Sequence, residues 1–144
     1  DGANSAYTHN IDWRAMLRRA LFWRLFVLYM LGTFSGLMVM SQAAHIAREL
    51  AGASAAAAAI VVGLMGAANS AGRLMWGAAS DRLGRFRALA LMFSATALMM
   101  FLLASGSVGA WVLVPVLVLI ALCYGGYLGV FPSICADAFG GLNR

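Results

Sequence analysis

Four long apolar stretches, separated by short polar gaps, set the pattern of this chain. They run at roughly Leu21–Ser41, Ala53–Ala79, Phe86–Ala104 and Trp111–Ile134. A helix needs about 20 apolar residues to cross a bilayer, and each stretch meets that length. In hydrocarbon every backbone polar group must be satisfied within the segment, so the stretches are predicted to be helices; no strand-like alternation competes. The joins "QAAHIARELAG", "SDRLGR" and "SGSVGA" are short, which makes consecutive helices antiparallel neighbours. The expected fold is all-α: a polytopic membrane bundle of four transmembrane helices over residues 20–144. Residues 1–19 differ, being polar and then amphipathic. Trp13, Met16, Leu17 and Ala20 fall at helical spacing with Arg14 and Arg18 beside them, which predicts a cytoplasmic linker ending in a short interfacial helix, or a plain extension of the first span.

Composition supports the membrane reading. The chain of 144 residues is 63% hydrophobic and 10% charged. A soluble domain carries about 25% charged residues, so one soluble core is excluded. The net charge of +5 comes from arginine alone, since no lysine is present. Most of these arginines cluster in short gaps between apolar runs with no polar face around them, which argues for membrane orientation and against a nucleic-acid partner. Arg14, Arg18, Arg19 and Arg24 precede or enter the first span, and Arg82, Arg85 and Arg87 follow the second. Arg48 in the first join is offset by Glu49, and the third join is uncharged. Positive residues stay inside, so both ends of the chain are expected to be cytoplasmic, in an inner membrane crossed several times. Trp13, Trp23, Trp76 and Trp111 all fall near expected membrane boundaries, where tryptophan concentrates. Cys123 and Cys135 belong to one apolar run and read as reduced thiols. No signal peptide is apparent, and Asp1 reads as a cut end of something longer.

Small residues add a packing expectation. Gly32 and Gly36 form a G-x-x-x-G, the second span is rich in Ala and Gly, and the fourth carries Gly125, Gly126, Gly129 and Pro132. Membrane helices associate through close backbone packing, which small residues permit, so a tight bundle is expected. The glycine and proline cluster suggests either a mobile segment or a static kink in the fourth helix.

The second join reads Gly77-x-x-Ser80-Asp81-Arg82-x-Gly84-Arg85-x-Arg87. This resembles the signature G-x-x-x-D-R-x-G-R-[RK] of the major facilitator superfamily, which lies on a cytoplasmic loop after the second helix of a six-helix half. Beyond the loop, "NSAGRLMWGAASDRLGR" and "YGGYLGVFPSICADAFG" are similar to the C-terminal half of the oxalate:formate antiporter family. The resemblance covers nearly the whole chain. It implies that these are helices seven to ten of twelve, with a preceding six-helix half and two last helices elsewhere in the same protein. It also implies secondary transport of small carboxylates by alternating access. Gly77, Asp81, Arg82, Gly84 and Arg85 would then form a conformational-switch loop: Gly77 lets a helix approach, and Asp81 pairs with the arginines and faces a helix N-terminus.

Arg73 is the candidate anchor for substrate. It lies eight residues before Asp81, about 12 Å along a helix, and so nearer the middle of the membrane than its edge. An arginine there costs about 2.5–3.5 kcal/mol on insertion scales, and intramembrane charge reads as functional by default. Guanidinium binds carboxylate through two parallel hydrogen bonds. The competing reading is that Arg73 snorkels to the interface or pairs inside the bundle. Asn69, one turn away, could bind substrate or steady Arg73, or make a plain interhelical hydrogen bond. The family resemblance adds Tyr124 and Tyr127 as walls of a substrate cavity, against simple packing. Thr33 and Ser35 read as bonding their own backbone; His45 and Asp137 read as interface residues. No triad, phosphate loop or metal-ligand spacing occurs, so neither an enzyme, a cofactor nor a metal is expected. Two other functions fit less well: a proton-coupled exporter, which needs an acid that none of the four spans contains, and a membrane sensor or assembly subunit that moves nothing.

Overall fold

The computed structural model describes residues 13–106 and 109–139. The residues of the linker before 13 and of the tail after 139 lie outside the described residues. Five helices follow one another: α1 (Trp13–Leu17), α2 (Ala20–Ala51), α3 (Ala55–Leu83), α4 (Arg85–Ala104) and α5 (Ala110–Phe139). The last four are long and apolar enough to cross a membrane. No strand occurs among the described residues.

The four expected spans are present, but three of them reach further than hydropathy alone indicates. α2 continues through "QAAHIARELA", which reads as a join by its polar residues. Ala, Arg, Glu and Leu are strong helix formers, so the helix persists until Gly52 adopts φ 60° and ends it. The true joins are short. Ser54 opens α3, its hydroxyl accepting from the Ala57 N–H at 3.2 Å. Gly84 alone separates α3 from α4, at φ 89° and ψ 139°, a backbone conformation that favours glycine. α5 runs unbroken through Pro115 and Pro132.

α5 is the centre of the bundle and packs against α2, α3 and α4. Two apolar clusters form around it. One joins Val39 and Ala43 of α2 and Val61, Met65 and Ala68 of α3 to Leu113, Leu117 and Ile120 of α5. The other gathers Leu25, Leu89 and Met92 around Tyr127, Val130, Phe131 and Ile134, with Met16 of α1 packed against it. Large side chains stay exposed elsewhere, as Phe34, Leu74, Phe101 and Trp111 do, which is the surface a lipid-facing bundle presents.

Candidate functional site

α3 carries three distinct facets. Ala58, Val61, Met65, Ala68 and Gly72 recur every three or four residues and are buried. A second facet holds bulky apolar groups: Ile60, Leu64 and Leu74 are 65%, 48% and 79% exposed. The third is mostly small, with Gly63, Gly66, Ser70, Arg73 and Gly77 at the same spacing, and Val62, 39% exposed, at its edge three turns before Arg73. Arg73 is exposed there and makes no ion pair with a described residue. A Cβ added at Gly63, Gly66 or Gly77 would meet nothing within 4 Å. The expectation that Gly77 admits a neighbouring helix is therefore not met within the described residues, because no described helix lies over this facet.

The seam between α3 and α5 fixes where Arg73 stands. A Cβ at Gly72 would run into the Leu122 carbonyl oxygen, and one at Gly125 into the Asn69 carbonyl oxygen. A Cβ at Gly129 would lie 2.8 Å from the Arg73 carbonyl oxygen and 3.2 Å from its Cα. The main chain of Asn69 and Arg73 thus rests on two glycines of α5 spaced one turn apart. Asn69 is half-buried, and its Oδ1 is enclosed with no hydrogen-bond partner among the described residues.

The two tyrosines face elsewhere. Tyr127 is 0% exposed and its hydroxyl shares a 3.0 Å hydrogen bond with Thr96. Its ring lies 4.9 Å from that of Phe93 and covers Gly32, where a Cβ would come within 3.1 Å of the ring. Tyr124 covers Gly36 in the same way, leaving 2.5 Å for a Cβ. The G-x-x-x-G of α2 is therefore the seat of two α5 rings, and not a contact of backbone with backbone. Tyr124 and Tyr127 thus face α2 and α4, with Tyr127 enclosed, whereas Asn69 and Arg73 stand one turn apart on α3, the Asn69 amide oxygen turned to the α5 seam and Arg73 exposed. Thr33 and Ser35 spend their hydroxyls on their own helix, donating to Tyr29 O at 2.7 Å and Gly32 O at 2.9 Å.

In the α3–α4 loop Arg85 is the junction. Its Nη1 lies 3.3 Å from Asp81 Oδ1 and 3.4 Å from the Ser80 hydroxyl. Its Nε donates to Asp137 near the end of α5. Ser80 is buried and donates to Gly77 O at 2.7 Å, so the side chain beneath the guanidinium is itself held. One arginine thus ties the end of α3 and the start of α4 to the end of α5. Arg82 and Arg87 are exposed and make no ion pair among the described residues, so of the three arginines only Arg85 takes the expected place beside Asp81.

A family model described as Major Facilitator Superfamily matches residues 2–143. The chain belongs to that superfamily. Superfamily members are membrane transporters and not enzymes, and the four long apolar helices make this a multi-pass membrane protein. The MFS-type transporter YhjX of Escherichia coli is 31% identical over 124 residues, covering 86% of this chain and 31% of that protein. The oxalate:formate antiporter of Oxalobacter formigenes is 29% identical over 126 residues, covering 87% and 30%. Apicoplast pyruvate carrier 2 of Toxoplasma gondii is 35% identical over 82 residues, covering 56% and 13%. The chain spans less than a third of the length of these relatives. No solved structure matches it significantly.

Two features of this superfamily chain escape sequence reasoning. Asp137 reads as a lone interface charge, because nothing local shows that a residue 52 positions from Arg85 meets it. The seating of Arg73 on Gly129 is equally silent; only the excess of glycine in α5 points to a close approach.

Proposed function

We propose that the chain supplies helices seven to ten of a twelve-helix secondary transporter, which exchanges small organic anions by alternating access with Arg73 as the cationic anchor. The observation that supports this reading is the facet on which Arg73 stands. Apart from Val62 at its edge it is made of glycines, Ser70 and Arg73, while Ile60, Leu64 and Leu74 lie to another side. A side chain meant only for lipid would belong among Ile60, Leu64 and Leu74. Arg73 is residue 19 of the 29 in α3, about 27 Å from its start and about 15 Å from its end. That depth suits a midplane site, where carriers of this kind bind their substrates. With no carboxylate of the described chain beside it, the guanidinium keeps its fork of donors for a solute. Similarity to an oxalate:formate antiporter and to a pyruvate carrier supports a carboxylate substrate.

Asn69, one turn before Arg73, is the second polar residue of the site; the donors an anion needs are on its Nδ2, since its Oδ1 only accepts and is enclosed at the α5 seam. The loop of Gly77, Asp81, Arg82, Gly84 and Arg85 acts as the switch: the Arg85 ties to Asp81 and Asp137 hold when the inner ends of the helices are together and break when they part. The membrane is the inner one, with the Arg85 end on the cytoplasmic side.

The deciding experiment is uptake of labelled oxalate, formate and pyruvate by the full-length protein in liposomes preloaded with unlabelled anion. Arg73→Gln should abolish saturable exchange, and Arg73→Lys should leave part of it, since a point charge lacks the planar fork. Unchanged saturable uptake by Arg73→Gln would refute the anchor. Exchange that needs a proton gradient and ignores carboxylates would favour the exporter reading.

A further inference from the structure

We propose that the elbow between α1 and α2 holds an anionic phospholipid, with its phosphate on Arg18, Arg19 and Arg24 and an acyl chain along Trp23, Val27 and Leu28. The first support is charge. Between Asp12 and Glu49 the chain contains no Asp or Glu, so Arg14, Arg18, Arg19 and Arg24 outnumber the single neighbouring carboxylate, Asp12. Farther along the chain, Asp81 and Asp137 are both engaged by Arg85. Arg18, Arg19 and Arg24 are exposed and make no ion pair with a described residue.

The second support is depth. The Trp23 indole N–H donates to Leu17 O at 2.9 Å and so latches α1 onto the first turn of α2. Phe22, Trp23 and Phe26 form a ring cluster with centroids 5.6 to 6.2 Å apart. Such aromatic groups settle at the boundary between headgroups and hydrocarbon. Arg24 stands four residues beyond the start of α2, about 6 Å along the axis, within the reach of a side chain that extends back toward headgroups.

The third support is shape. Trp23, Arg24, Val27 and Leu28 line an open groove of about 530 Å³. The exposed lining is almost wholly apolar, so Arg24 gives the wall its aliphatic stem and not its guanidinium, and Leu31, 60% exposed, stands one turn farther along the helix. A free phosphate ion would satisfy the arginines but leave Val27 and Leu28 in contact with nothing suited to them. A lipid satisfies both. The excess of arginine over carboxylate in this segment selects an anionic headgroup over one that carries an ammonium, which would add a like charge to the cluster.

The test uses purified full-length protein in detergent, with bound lipid counted by native mass spectrometry after addition of phosphatidylglycerol, phosphatidylcholine or inorganic phosphate. Phosphatidylglycerol should be retained in preference to phosphatidylcholine, and excess inorganic phosphate should not displace it. Each arginine near a membrane surface contributes about five-fold in partitioning, so the triple variant Arg18→Gln, Arg19→Gln, Arg24→Gln should lose retention by on the order of 100-fold. Arg48→Gln, at the other end of α2, should behave as the unaltered protein does. If the triple variant aggregates, Arg24→Gln alone should still lose about five-fold. Equal retention of the two lipids, displacement by phosphate, or phosphatidylglycerol retention that ignores these substitutions would overturn the proposal. The last of these would mean that another part of the protein covers the groove.

Discussion

Replacing Gly125 by alanine tests the central packing claim, because the added carbon points at main chain and not at a side chain that could rotate away. Its nearest neighbour is the Asn69 carbonyl oxygen. Relief requires α3 and α5 to separate. Even the milder site, Gly129, needs a retreat of about 0.5 Å from its 2.8 Å approach to the Arg73 carbonyl, and a gap of that size already forfeits about a quarter of each dispersion contact. The loss extends along the whole seam, from Val61, Met65 and Ala68 to Leu113, Leu117 and Ile120. Overpacking of this kind costs about 1–3 kcal/mol, and rigid backbone puts Gly125 and Gly72 at the upper end. Against it stands a helix-propensity gain of up to about 1 kcal/mol for alanine over glycine. The net expectation is a loss of about 2 kcal/mol for Gly125→Ala and Gly72→Ala, a smaller loss for Gly129→Ala, and no loss for Gly63→Ala, where a Cβ meets nothing. Reversible denaturation of the full-length protein in mixed micelles would rank the four. Gly129→Ala carries a second signature: by moving the Cα of Arg73 it should raise the half-saturating anion concentration more than its stability loss accounts for. Wild-type stability in Gly125→Ala, or an equal loss in Gly63→Ala, would refute the seam.

Two further outcomes follow from the packing and the loop. Tyr127→Phe removes the hydroxyl bonded to Thr96 and should cost about 0.6 kcal/mol and no more than about 1.7, the span measured for hydrogen bonds between membrane helices; a double-mutant cycle with Thr96→Val that shows no coupling would deny the bond. Asp137→Asn and Asp81→Asn should each change stability by less than about 1 kcal/mol, since both carboxylates are more than half exposed, yet their effects should not add, because both act through Arg85; strict additivity would dissolve the junction.

The spans were readable because lipid demands a long, unbroken apolar run, and the loop was readable because its glycine and charges lie within one short segment. Helix ends were less so. Polar residues such as Gln42, His45 and Glu49 lower hydropathy without weakening a helix, so α2 outlasts its apolar core and stops only at Gly52. The candidate site was half legible. Arg73 and Asn69 announce themselves by being polar in an apolar run. What sits on Gly32 and Gly36 depends on how α2 and α5 cross, and that crossing is written in no local pattern; the tyrosines could have walled a cavity as readily as filled a gap. Asp137 was missed for the same reason, its partner being set by the fold and not by neighbours in the chain.

α5 is the last of these helices to leave the ribosome, yet α2, α3 and α4 each touch it more than they touch one another. During synthesis the three earlier segments must therefore wait in the bilayer or beside the insertion machinery, with Gly32, Gly36 and Gly72 still uncovered. Assembly of this part of the protein is completed only by the newest helix, although α2 with α3 and α3 with α4 also pack on one another. A nascent chain arrested before residue 110 should expose those glycine tracks to whatever quality-control factors patrol the membrane.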